Sequence, residues 1–475
     1  MGKYVECPKG LKRQEKQGCL KASEIRKSPG IQEAPEIQAV SSSPSSSPGI
    51  QETPEIQEAS GRSGNPAAAG PVPRGISWEE ARALACAAAV PVSKERVPLA
   101  QCFGRVLAEE LRAASDVPPF DRSPYDGYAF RAADTEAASG EHPVTLRILE
   151  EIPAGGVPHV TVTEGTAVKL LTGAPIPPGA DAVRMYEKTE FTEEEVKLFS
   201  PAKTGENIIR AGEDVLAGTL LAAPGEVIDA GLLGSLAAQN VSMPLVFRRP
   251  LAALLSTGSE LQEVGETLRE GCIYNTNRYT IGAALAGCGC DVRYLGIAGD
   301  DPEKLLEYIR EGISQCDALV LTGGVSAGDY DYTRRAMEAA GAEILFDGVG
   351  MKPGMACVYG TLGGKLIAGL SGNPASSLTN FHAVAAPAFR KLAGRQHYLP
   401  EELKVTLLDG FSKKSGGTRF LRGRLSLQDG TVGMRLSRDQ GNVILRSVIG
   451  NDVMAVVPAG SGPLDKGTEL TGFRI

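Results

Sequence analysis

The chain has 475 residues, enough for two to four domains of ordinary size. With 42% hydrophobic residues it is not a wholly disordered chain, and a net charge of −8 argues against nucleic acid as its main partner. No stretch approaches the roughly 18 apolar residues that cross a membrane, and the polar first 27 residues lack a secretory core, so a cytoplasmic protein without a membrane partner is expected.

Residues 1–75 differ from the rest. SPGIQEAPEIQ at 28–38 returns as SPGIQETPEIQ at 47–57, differing only at Ala34 and Thr53, with SSSPSSSP near the second copy. Such a segment buries too little apolar surface to offset its ordering entropy, and a disordered tail is expected. Its charge is segregated: residues 1–27 hold eight Lys/Arg and three Glu, whereas residues 28–60 hold five Glu and no basic residue.

The folded body is expected to start near Ile76. Ser77 ahead of Trp78-Glu79-Glu80 reads as a helix N-cap with an acidic first turn. Residues 112–230 read as short strands and turns with dense Gly/Pro punctuation, including alternating runs at 144–148 and 160–162. From 249 the pattern becomes strand–helix alternation. It has strands at 251–255, 293–297 and 318–321, a helix at 276–287, and a helix opened by Asp301-Pro302. That alternation predicts a parallel, doubly wound sheet. Residues 395–475 return to short strands, as in a small β-barrel or sandwich. The nine cysteines are scattered, and Cys288 and Cys290 stand too close for a zinc knuckle, so they read as reduced thiols.

In an open α/β sheet, ligands bind beyond the carboxyl ends of strands. Two such ends stand out: Ser256-Thr257-Gly258-Ser259-Glu260, and Thr322-Gly323-Gly324-Val325-Ser326-Ala327-Gly328-Asp329-Tyr330-Asp331. The second places three glycines before a helix beginning near Tyr332, an arrangement that lets backbone N–H groups approach a phosphate, although many such turns are only tight turns. Glu260, Asp300, Asp301, Asp329 and Asp331 follow strands at the same edge. A divalent cation would reconcile them with a phosphate; simple helix capping is the alternative for Asp300 and Asp301. Residues 118–129, 171–175, 351–354 and 370–376 add further turns rich in backbone donors. The four histidines lie outside all of these, and no Ser–His–Asp grouping emerges. By themselves these features describe a Mg²⁺-dependent phosphohydrolase.

Nine segments in unbroken order carry a more specific resemblance: PPFDRSPYDGYA, LLTGAPIPPGADAV, GENIIRAGEDVLAGTLL, STGSEL, CIYNTNRYTI, GIAGDDP, LTGGVSAGDYDYT, MKPGMA and LSGNPASS. From about 76 to 475 the chain resembles the MoeA family, the molybdopterin molybdenumtransferases, whose eukaryotic relatives include the E domain of gephyrin. The resemblance implies insertion of molybdate into adenylated molybdopterin with release of AMP, assisted by Mg²⁺. It implies a homodimer in which the β lobe of one subunit contributes to the cleft of the other. Transient contact with the MogA-type adenylating enzyme and with acceptor molybdoenzymes is implied as well.

The implied architecture is a linker region at 76–120 and 213–248, a β-rich lobe at 121–212, a MogA-like α/β domain at 249–394 and a C-terminal β-barrel at 395–475. Carried over by motif, Asp126, Thr172, Glu260, Asp300 and Asp331 would serve catalysis, with Asp300 and Asp331 as Mg²⁺ ligands. Thr257, Gly258, Gly323, Gly324, Ser326, Gly328, Lys352, Pro353, Gly354, Gly372, Asn373, Pro374 and Ser376 would bind the pterin substrate. Arg422 would face the oxyanion.

The chain also departs from the family pattern. Met355-Ala356 stands where K-P-G-K-P is frequent, Ser371 where LPGNP has proline, and Asn442 where serine is more usual. These changes fall on turns expected to face an oxyanion. They leave two alternatives open: a tungstate-preferring insertase, and a pterin-binding scaffold with reduced catalysis.

Overall fold

The computed structural model describes residues 72–325, 332–428 and 431–475. The expected tail therefore lies outside the described residues, apart from its last few positions. Arg74–Ile76 is already a strand, so folded structure begins slightly before the expected start.

The α/β region is built on a seven-stranded sheet. Four neighbouring strands are parallel, in the order Lys365–Leu370, Ala318–Thr322, Leu251–Ser256, Asp291–Ile297. The sheet is not parallel throughout. Glu343–Val349 and Cys357–Leu362 run antiparallel to each other, and Cys357–Leu362 also runs antiparallel to Lys365–Leu370. The expected alternation stops there because a short hairpin turn, not a crossover helix, joins the last two strands.

Helices cover both faces. Ala252 and Leu254 of one strand join the core with Trp78, Ile281, Phe381 and Phe389, while Ala253 and Leu255 join Leu305, Ile309, Ile313 and Met337 on the other side. Burial on both faces is why residues 251–256 read as an unbroken apolar run, not an alternating one. The two predicted caps form. Ser77 accepts from the Glu80 N–H, and Asp301 accepts from the N–H groups of Glu303 and Lys304, ahead of Pro302. The helix Trp78–Ala88 lies against the α/β core, not among the linker strands, and the strand Arg74–Ile76 pairs with Glu343–Val349.

The β lobe is a six-stranded sheet formed between Gly127 and Leu198. The alternating run at 144–148 belongs to the strand Val144–Ile152. The run at 160–162 is no strand: Val162 is buried, its N–H donates to the Pro178 carbonyl, and it packs under the lobe as an irregular segment. Between lobe and α/β region, two short antiparallel pairs and the helix Ala230–Ala238 enclose a core containing Leu107, Ile228, Leu236 and Val246. The C-terminal strands close on themselves. Thr418–Gln428 pairs with both Thr431–Leu436 and Val453–Val457, which makes a β-barrel. Met351–Lys352 pairs with Thr418–Gln428, so the α/β region lends a strand to the barrel.

Candidate functional site

The loops that follow the four parallel strands open into one cavity of about 940 Å³. Thr257 and Gly258 follow the strand Leu251–Ser256, Asp300 follows Asp291–Ile297, Gly323 and Gly324 follow Ala318–Thr322, and Ser371 to Pro374 follow Lys365–Leu370. Backbone bonds tie these loops together. Thr257 N–H donates to the Thr322 carbonyl (2.8 Å), and Gly323 N–H to the Leu370 carbonyl (2.9 Å). Glycine is required at the centre. Gly323 has φ +100°, and a Cβ there would stand 2.6 Å from Thr257 Oγ1; Gly324 has φ +66°, and its Cβ would meet Thr333 Oγ1 at 2.6 Å.

Glu260 and Asp300 line the same cavity, and Asp300 accepts from the Ser259 N–H at 3.2 Å. Among the described residues there is no group of three or more His, Cys, Asp or Glu able to hold a metal ion. Ser326, Gly328 and Asp331 lie outside the described residues.

One wall escaped the sequence reading. Leu261, Leu268, Ile273 and Tyr274 form an apolar shelf, and Val443 and Leu445 of the C-terminal region face the same space. Such a lining suits a flat ring system, with polar loops to hold its charged end. Asn277 also belongs to the wall; its Nδ2 donates to the Gly372 carbonyl at 2.8 Å and ties the helix Asn277–Gly287 to that loop. The signal for this wall was the segment CIYNTNRYTI, which was visible as a motif but offered no titratable group to draw attention.

A smaller cavity of about 300 Å³ shares Ala356, Ser371 and Asn373 with the first. Lys352, Pro353, Gly354, Met355, Ser376 and Asn442 complete its wall. Arg422 lies behind it on the barrel strand Thr418–Gln428 and is 2% exposed. Its Nη2 donates to the carbonyl of Gly441, the neighbour of Asn442, at 3.2 Å and to Ser447 Oγ at 3.1 Å; its Nη1 donates to Thr379 Oγ1 at 3.4 Å. Among the described residues its Nε has no partner and no carboxylate forms an ion pair with it. Burial pulls its pKa down to about 10, so it stays cationic at neutral pH.

Asp126 and Thr172 are brought together, but away from these cavities. Asp126 Oδ1 accepts from Thr172 N–H at 2.7 Å and from Thr172 Oγ1–H at 2.8 Å, on an exposed edge of the lobe. These two bonds, the side-chain one first, hold the Asp126 carboxyl below the usual carboxylate range.

The three folded portions match known families. Residues 76–239 match the family described as MoeA N-terminal region (domain I and II), residues 253–391 a probable molybdopterin binding domain, and residues 404–471 the MoeA C-terminal region (domain IV). A molybdopterin molybdenumtransferase of Staphylococcus aureus (strain MSSA476) is 34% identical over 365 residues, covering 77% of this chain and 87% of that relative. One from Staphylococcus epidermidis (strain ATCC 12228 / FDA PCI 1200) is 36% identical over 338 residues, covering 71% and 81%. The crystal structure of a molybdopterin biosynthesis moeA protein from Pyrococcus horikoshii OT3 superposes with a TM-score of 0.73 at 30% identity, over 85% of this chain and 100% of that one.

Proposed function

The chain belongs to the MoeA family of molybdopterin molybdenumtransferases, and from that premise we propose that its two joined cavities receive adenylated molybdopterin and molybdate, insert the metal at the dithiolene and release AMP. The observation that carries this reading is the convergence of four strand ends on a cavity with an apolar shelf, a glycine turn and an adjoining cation-bearing recess.

The pterin ring rests on Leu268, Ile273 and Tyr274, and phosphate oxygens accept from the backbone around Gly323 and Gly324. Molybdate enters the smaller recess beside Lys352. An unpaired buried guanidinium is costly, and a bound oxyanion would give Arg422 the counter-charge that no carboxylate among the described residues supplies. Glu260 and Asp300 suit Mg²⁺, which commonly binds through one or two carboxylates plus substrate phosphate oxygens. They would hold it there, where it lowers the charge on the phosphoryl group whose anhydride bond breaks. Lys352 and Arg422 meanwhile orient the oxyanion toward the pterin sulfurs.

Asp126 and Thr172 do not line either cavity, which supports a homodimer in which a second copy brings its lobe to the site. Brief contacts with a MogA-type adenylating enzyme and with acceptor molybdoenzymes, in the cytoplasm, fit the same reading.

The test is AMP release from adenylated molybdopterin with Mg²⁺, titrating molybdate and tungstate in parallel. Release at low molybdate is expected. Release favouring tungstate would reassign the metal and point to Met355, Ala356 and Asn442. Tight pterin binding with no release would leave a scaffold.

A further inference from the structure

The helix Pro374–Asn380 runs from the wall of both cavities into the core. Its last two residues each hold a different part of the smaller recess. Thr379 Oγ1 accepts from Arg422 Nη1. Asn380, fully buried, donates from Nδ2 to the Gly354 carbonyl at 2.8 Å, the turn that follows Lys352. The amide is itself oriented, because the hydroxyl of fully buried Tyr359 donates to Asn380 Oδ1 at 2.7 Å. With Oδ1 committed as acceptor, Nδ2 is the donor available to the turn. Contact is close as well. Gly354 has φ +101°, and a Cβ there would stand 3.0 Å from Asn380 Cβ and 3.1 Å from the Ser376 carbonyl oxygen, so the turn lies directly on the helix.

We propose that Asn380, oriented by Tyr359, is a positioning residue for the oxyanion recess: it pins the Lys352–Gly354 turn to the same helix turn that holds Arg422. The proposal rests on the reading of the recess as the oxyanion site. Lys352 lines the recess from an exposed position, so the turn that bears it needs an anchor in the core. A buried amide bonded at both ends supplies that anchor without adding charge. Asn380 would act on oxyanion binding through Lys352: its bonds reach Tyr359 and Gly354, whereas the wall beside the pterin shelf meets this helix through Asn277, which donates to Gly372 and accepts from Ser377.

The test uses full-length Tyr359→Phe, which removes only the hydroxyl, and Asn380→Ala as the stronger variant. In both, hydrogen exchange over residues 351–357 should rise while exchange over residues 251–256 stays as in the wild type. The KM for molybdate should rise about tenfold, the scale expected for one lost buried hydrogen bond, with kcat at saturating molybdate and affinity for adenylated molybdopterin within twofold. Unchanged exchange over 351–357 in a folded variant overturns the proposal. So does a parallel loss of pterin affinity and molybdate affinity, which is the signature of a merely structural role. If exchange rises as expected but the wild-type protein turns over neither molybdate nor tungstate, the positioning role stands and the functional reading fails.

Discussion

Asp126 carries a charge that its neighbours keep in place. It is exposed, so the role proposed for it lies in what approaches it and not in folding. Asp126→Asn should leave the melting temperature unchanged and lower kcat by about a hundredfold, the scale of losing one aligned electrostatic contact. Wild-type turnover in that variant would remove it from the site. The pH dependence has a definite sign. Thr172 lowers the Asp126 pKa, so the ionised form persists to more acid pH than in an ordinary carboxylate. Thr172→Val removes the side-chain bond, lets that pKa rise toward the ordinary carboxylate range, and should move the acid limb of kcat/KM upward. Asp126 and Thr172 could be named from their motifs. That one donates twice to the other could not, because 46 residues separate them and only the pairing of their strands brings them together.

At the scale of elements, local signals and tertiary contacts divide cleanly. The caps at Ser77 and Asp301 were legible because capping is a contact within one turn. The strand Arg74–Ile76 was not, since three residues mean nothing until Glu343–Val349 offers an edge to pair with. A truncation separates the two cases. Removing residues 1–71 should leave thermal stability unchanged. Removing 1–77 strips the strand and the Ser77 cap together, and should destabilise the protein by about 2 kcal/mol. Equal melting temperatures would show that the strand and cap contribute nothing. The segment at 160–162 is the opposite lesson: it alternates like a strand, but Val162 is needed as a plug under the lobe, and burial prevailed over pattern.

For the whole molecule, the separation of Asp126 from the cavities makes complementation the informative experiment. In a homodimer with shared sites, Asp126→Asn and Lys352→Ala lose activity separately. Subunits exchanged at random should then recover about a quarter of the wild-type activity, because half of the dimers are mixed and each mixed dimer has one intact site. No recovery after verified exchange would place both residues in one subunit's site. The barrel strand borrowed from Met351–Lys352 explains why the recess lies where it does: it forms where the α/β region and barrel share backbone bonds.

Motif order alone was enough to identify the family, the glycine turn, the carboxylates at the strand ends and the parallel core of the sheet, because each is encoded within a few residues or by strand–helix alternation. Ser326, Gly328 and Asp331 remain expectations of sequence. The apolar shelf, the unpaired Arg422 and the Tyr359–Asn380–Gly354 chain came only from tertiary structure. Burial, an orphaned donor and a committed amide are properties of what surrounds a residue, and those surroundings are assembled from segments far apart in the chain.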